Sequence, residues 1–220
     1  MNQVQSKDGT KIAYEKMGNG EPLILVDGAL CDRASGPNRP LAELLKQDFT
    51  VYIYDRRGRG DSGDSASYRI EREVEDLEAL VQEAGGSAFV YGISSGAAVK
   101  LFMGKGVGLP APVVAMMTLM PAWSGLKKIA HTLPYDTLLT IEHQQGRAFP
   151  ANRWVSVNVS ALTVVGGKSP AWMRNGMSSL AEALPNAKLH TLEGQTHIVK
   201  PAALAPVLKQ YFNEEETVEW

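Results

Sequence analysis

The chain of 220 residues contains a single cysteine, Cys31. One thiol excludes an intramolecular disulfide and any multi-cysteine metal site. Net charge is equally scarce, because 22 Lys and Arg against 24 Asp and Glu leave a formal −2. That balance makes no electrostatic case for nucleic acid or an anionic membrane as partner. Apolar runs are short, and none approaches the roughly 18 residues of a membrane span. The opening residues, MNQVQSKDGTKIAYEK, hold no apolar run and read as no secretion signal, which makes the cytoplasm the expected compartment. Walker, H-E-x-x-H and EF-hand patterns are lacking, so neither metal nor cofactor is expected. What is present is globular: 44% hydrophobic and 21% charged residues exclude a disordered chain.

Short apolar runs alternate with helical patterns, which predicts an α/β fold with a mostly parallel sheet flanked by helices. Strands are expected over 11–16, 22–26, 50–54, 88–91, 161–165 and 188–192. Helices are expected over 41–47, over the stretch from Ile70 to Ala84, and around Leu204 to Phe212. In the second helix Ile70, Val74, Leu77, Leu80, Val81 and Ala84 share an apolar face. Glu71, Glu73, Glu75, Asp76 and Glu78 form a solvated acidic one. The tail 213–220 reads as frayed. Glycines and prolines break residues 99–160 into short pieces, so 1–98 and 161–220 are assigned to a core and 99–160 to a reduced cap or insertion. Within it 99–103, 113–120 and 138–143 each fit a helix, and 113–119 fits a strand equally well.

The sharpest signal is Gly92-Ile93-Ser94-Ser95-Gly96, a G-x-S-x-G that follows the strand AFVY and precedes a plausible helix. That strand–turn–helix setting is what a nucleophile elbow requires: a tight turn projects Ser94 above the sheet edge, and small neighbours let strand and helix approach. The backbone N–H of Ser95 would then face a developing oxyanion. Two other segments stand in step with it. Val26-Asp27-Gly28-Ala29-Leu30 follows the second strand run, and Glu193-Gly194-Gln195-Thr196-His197 follows the last. With the run Tyr54-Asp55-Arg56-Arg57-Gly58-Arg59-Gly60-Asp61-Ser62-Gly63, these motifs resemble the α/β-hydrolase fold family, of the single-domain esterase and lipase type.

The resemblance implies Ser94 as nucleophile and His197 as general base. It implies an oxyanion hole from the N–H groups of Ser95 and of Ala29 or Leu30. Asp27 departs from the histidine usual there and receives no catalytic role. The family's acid is missing: Gly166-Gly167-Lys168-Ser169-Pro170 carries Ser169 where an aspartate is expected. A Ser94–His197 dyad oriented by Ser169 is therefore predicted, with Asp136, Glu142 and Glu193 as alternative acids. Trp172 and Trp123 are the pocket candidates, which suits a small, largely apolar ester or lactone. The run Gly58 to Gly63 also matches G-x-G-x-x-G, but its glycines do not open a helix. It reads as a tight polar loop with Arg56, Arg57 and Asp61 paired around it. A hydrolase-like domain that has lost turnover and serves as a binding or assembly module is the alternative, and a hydrolase-fold lyase or cofactor-free oxygenase a third. The chain is short by about 40 residues after the elbow on element lengths. Either 113–119 supplies a further strand or the sheet is incomplete, and an incomplete sheet predicts a homodimer, by pairing or by exchange.

Overall fold

A computed structural model describes residues 1–65, 67–93, 130–140, 154–214 and 218–219. The chain divides into two units, Met1–Gln145 with Glu219–Trp220, and Gly146–Val218.

The first unit is built on a sheet with strand order β1-β2-β4-β3-β5-β8. Its strands are β1 (Asn2–Gln5), β2 (Lys11–Met17), β3 (Glu21–Val26), β4 (Phe49–Tyr54) and β5 (Ser87–Gly92), with Glu219 of the two-residue β8 (Val218–Glu219) at the edge. β1 and β2, and β2 and β4, pair antiparallel, whereas β3 pairs parallel with both β4 and β5. The expected apolar runs become the centre of this sheet. Every residue of β4 is buried, as are Leu23, Ile24 and Leu25 of β3, because a parallel strand covered on both faces has no polar side to offer water. Helices α1 (Asn38–Leu45) and α2 (Ile70–Glu83) belong to this unit, as do a 3-10 turn over Ala130–Thr132 and helix α3 (Leu133–Thr140). Helix α3 begins earlier than the 138–143 expected.

Helix α2 corrects the expected division of its faces. Ile70 and Val74 are 41% and 43% exposed, while Asp76 is fully buried beside Leu80 and Val81. The reason is electrostatic: arginines of the loop after β4 reach α2 and draw its acidic residues inward. Arg57 pairs with Asp76 at 2.7 Å and Arg56 with Glu73 at 2.8 Å.

The second unit holds β6 (Ala161–Gly166), α4 (Ala171–Ala183), β7 (Ala187–Leu192) and α5 (Pro201–Glu214). β6 and β7 pair in parallel through all six residues, from Ala161 opposite Ala187 to Gly166 opposite Leu192. Helix α4 makes the crossover such a pair requires, and it was not expected from the sequence. No residue of α4 is buried, and Lys188 to Thr191 of β7 are exposed, so neither element has the strong apolar stripe that marks a core helix. The tail is also corrected: α5 continues to Glu214 and Val218–Glu219 pairs as β8. The segments 99–103 and 113–120 lie outside the described residues.

Candidate active site

Parallel strands β3, β4 and β5 run in one direction, so the loops leaving Val26, Tyr54 and Gly92 share one edge of the first unit's sheet. Open α/β sheets bind ligands at this carboxyl edge. Ile93 N donates to Val26 O at 3.2 Å, which brings the chain leaving β5 alongside the loop that begins at Asp27. Ser94 and Ser95 follow directly and lie outside the described residues, as do Trp123 and Glu142.

The loop after β4 is stitched from within. Asp55 accepts from the backbone N–H of Arg33 at 2.7 Å and of Asp61 at 2.9 Å. Gly60 has φ +50°, and a Cβ there would stand 2.2 Å from Asp55 Oδ2, so the turn admits only glycine. Gly58 N donates to Gly63 O and Gly63 N to Lys11 O. These glycines close a loop on itself, as the sequence suggested. The partners differ from expectation, because Asp61 pairs with Arg33 rather than with Arg56 or Arg57. Arg57 instead joins Asp76 and Asp8. Partial burial would raise the Asp8 pKa, but hydrogen bonds from Arg57 and Thr10 hold it well below the usual carboxylate range.

A second cluster lies beside it. Arg59 and Asp136 are both fully buried and meet through two contacts of 2.9 Å, from Nη2 to each carboxylate oxygen. Arg56 Nη1 adds a third contact to Asp136 at 2.9 Å, and its other nitrogens hold Glu73. Burial opposes charge on Arg56, yet Glu73 and Asp136 carry its pKa above the ordinary arginine value. Arg59 Nη1 donates to the carbonyl of Gly28 at 2.7 Å. Both oxygens of Asp136, one of the alternative acids, are thus committed to arginines.

Gly28, Ala29 and Leu30 form the loop expected to supply an oxyanion donor. Gly28 is buried and Ala29 half-buried. Leu30 has φ 57°, a left-handed conformation that a leucine adopts only where its surroundings impose it. Asp27 lies beneath, buried, with its carboxylate filling the space where a Cβ on Gly36 would stand. Burial raises its pKa to about 7, against the opposing effects of the Asn38 N–H and Arg59. Burial, and then Asp27, push the Cys31 thiol up to about 11, so it stays protonated at neutral pH and behaves as a small hydrophobe.

In the second unit the loops after β6 and β7 are zipped together. Gly167 N donates to Leu192 O at 2.9 Å and Lys168 N to Gln195 O at 2.8 Å. Gly166 must be glycine, since a Cβ there would stand 2.2 Å from the carbonyl oxygen of Thr196. This contact brings Ser169 and His197 onto one pair of joined loops. Ser169 is 2% exposed, and its carbonyl accepts from Arg174 Nη1. Its hydroxyl has no hydrogen-bond partner among the described residues. His197 is exposed. Glu193 lies beside Gly167, its Oε2 3.0 Å from where a Cβ on that glycine would stand. Trp172, in the first turn of α4, is 63% exposed, which is a surface position and not the wall of an enclosed pocket.

Sequence reasoning missed the part played by Arg59 and Asp136. A usable signal was present: three arginines within four residues, at the end of a buried strand, require buried acids as partners. Among the described residues no group of His, Cys, Asp and Glu could hold a metal ion, and no helix is long and apolar enough to cross a membrane.

Residues 33–175 match the model of an alpha/beta hydrolase family. The chain is 40% identical to an alpha/beta hydrolase from Sphaerobacter thermophilus whose crystal structure is known. That likeness covers 96% of this chain and all of the other, with a TM-score of 0.85. A thermophilic esterase from Thermogutta terrifontis is 17% identical over 97% of this chain and 96% of its own, with a TM-score of 0.63. An esterase from Rhodococcus is 16% identical over 98% and 99%, with a TM-score of 0.67.

Proposed function

The chain belongs to the alpha/beta hydrolase family and is a hydrolase, and from that premise we propose that it cleaves a small, largely apolar carboxylic ester or lactone through an acyl-enzyme on Ser94. His197 takes the hydroxyl proton as Ser94 attacks the carbonyl, then returns it to the leaving alcohol. In the second half His197 activates water, which releases the acid and regenerates the serine. The N–H groups of Ser95 and of Ala29 or Leu30 receive the oxyanion. Ser169 accepts a hydrogen bond from the imidazole and orients it, and the exposed indole of Trp172 offers an apolar surface to the acyl part.

The observation that carries the reading is the Ile93 N to Val26 O hydrogen bond, which ties the residue just before Ser94 to the strand end from which the 27–30 loop leaves. The buried hydroxyl of Ser169, unpartnered among the described residues, supports the role given to His197, because it lies on a loop hydrogen-bonded to the one that ends in His197. A buried hydroxyl without a partner is unfavourable unless a ligand or a further side chain fills it. A short-chain chromogenic ester should give a burst of one equivalent followed by steady turnover. Ser94→Ala should abolish both phases. Indistinguishable traces from wild type and Ser94→Ala across acyl lengths contradict the reading and favour a binding module.

The same reading includes two copies per particle. Leu189 and Ile198 of the second unit are exposed large apolar residues that a second copy would cover. Light scattering at micromolar concentration should return about twice 23.8 kDa, and a mass near 23.8 kDa contradicts it.

A further inference from the structure

We propose that Arg59 is a positioning residue that sets the direction of the Ala29 N–H by holding the carbonyl of the same peptide unit. The inference rests on the reading of residues 28–30 as one side of the oxyanion hole. In a trans peptide the carbonyl oxygen and the following N–H point to opposite sides of the chain. The Gly28 carbonyl and the Ala29 N–H belong to one such unit. Arg59 Nη1 donates to that carbonyl at 2.7 Å from a fully buried guanidinium. The oxygen is therefore held toward the interior, and the Ala29 N–H faces away from Arg59.

Three features make the hold firm. The guanidinium is anchored by Asp136 through two further 2.9 Å contacts, so it cannot swing away from Gly28. Asp136 comes from helix α3 and is itself fixed by Arg56, which Glu73 holds in turn. On the far side, Leu30 is in the left-handed region, which sets the direction of the chain just after the Gly28–Ala29 unit. Without Arg59 the carbonyl loses its buried partner, and glycine at position 28 leaves the peptide free to rotate. A rotated unit turns a carbonyl oxygen toward the position where negative charge develops, replacing attraction by repulsion. The arginine network thereby connects α3 to the hole without touching substrate.

Two variants test this. Arg59→Lys keeps a cation beside Asp136, but one nitrogen on a flexible stem cannot reproduce the planar fork that serves Gly28 and Asp136 together. Arg59→Gln combined with Asp136→Asn removes both buried charges at once and leaves Arg56 paired with Glu73, so that an uncompensated charge is not the cause of any loss; the reference for both variants is the wild type. In both, kcat for a short-chain ester should fall by about 100-fold, in line with loss of one oxyanion donor, while KM changes less than about threefold. Their crystal structures should show the Gly28–Ala29 peptide reversed or in two orientations. A kcat within about threefold of the reference, or a peptide that keeps its direction in both variants, overturns the proposal. If the wild-type chain shows no Ser94-dependent turnover, the esterase reading fails and the crystallographic readout still decides the role of Arg59.

Discussion

The loop after β4 in the first unit and the joined loops of the second treat polar groups in opposite ways. Around Arg56, Arg57 and Arg59, charges are buried and matched: Asp76, Glu73, Asp136 and Asp8 each meet a guanidinium within about 3 Å. Around Ser169 and His197 little is matched. The serine hydroxyl is buried without a partner among the described residues, the histidine is exposed, and α4 buries nothing. A fully satisfied network fixes one arrangement of the chain. An unsatisfied group keeps capacity for a bond that forms only during reaction. On the proposed function, the contrast puts rigidity in the first region and a bond made during reaction in the second.

The comparison breaks most visibly if the buried charges prove dispensable. Asp76→Ala leaves Arg57 buried with less than its full complement of partners, and should cost about 3–5 kcal/mol in urea unfolding followed by circular dichroism. A loss below about 1 kcal/mol would mean that the network is ornamental.

Asp27 sharpens the same point, because its carboxyl is buried and no cation among the described residues forms an ion pair with it. Its folded pKa, raised from 3.8 to about 7 chiefly by burial, exceeds the unfolded value. Below about pH 4 the group is protonated in both states and carries no penalty. As pH rises toward 7 the unfolded chain ionises first, so stability falls, and the slope ends above that pH. The loss reaches at most about 4 kcal/mol. Asp27→Asn should flatten the stability profile between pH 4 and 7. An unchanged slope would place the titration elsewhere.

The smallest effect lies in the second unit. Ser169→Ala should leave the urea midpoint almost unchanged and lower kcat about tenfold, the worth of one orienting hydrogen bond. A large loss of stability at unchanged kcat would make Ser169 a structural residue and reverse the assignment of the two regions.

Strand positions were legible because β3, β4 and β5 are short apolar runs bounded by turn residues, and burial on both faces permits nothing else. β1 escaped notice because Asn2–Gln5 is polar and largely exposed, with Val4 its one residue packed against the core. Helix α4 escaped because Gly176, Ser178 and Ser179 interrupt any apolar stripe. The faces of α2 were misassigned because a helix pattern read alone assumes that acids seek water. Arg57, nineteen residues before Asp76, overrides that preference, and no local window contains both. The roles proposed for Ser94 and His197 rest on residue type and order. The place of Arg59 was not legible, because its partner Asp136 lies 77 residues away and its other contact is to a main-chain carbonyl, which leaves no trace in side-chain identity.

The central claim is that Ser94 is an activated nucleophile. Intact-protein mass spectrometry after treatment with a fluorophosphonate tests it most directly. The account predicts one adduct per chain, mapped to Ser94, absent in Ser94→Ala and formed at least about 100-fold more slowly in His197→Ala. No adduct on wild type, or an adduct that persists in Ser94→Ala, would contradict it.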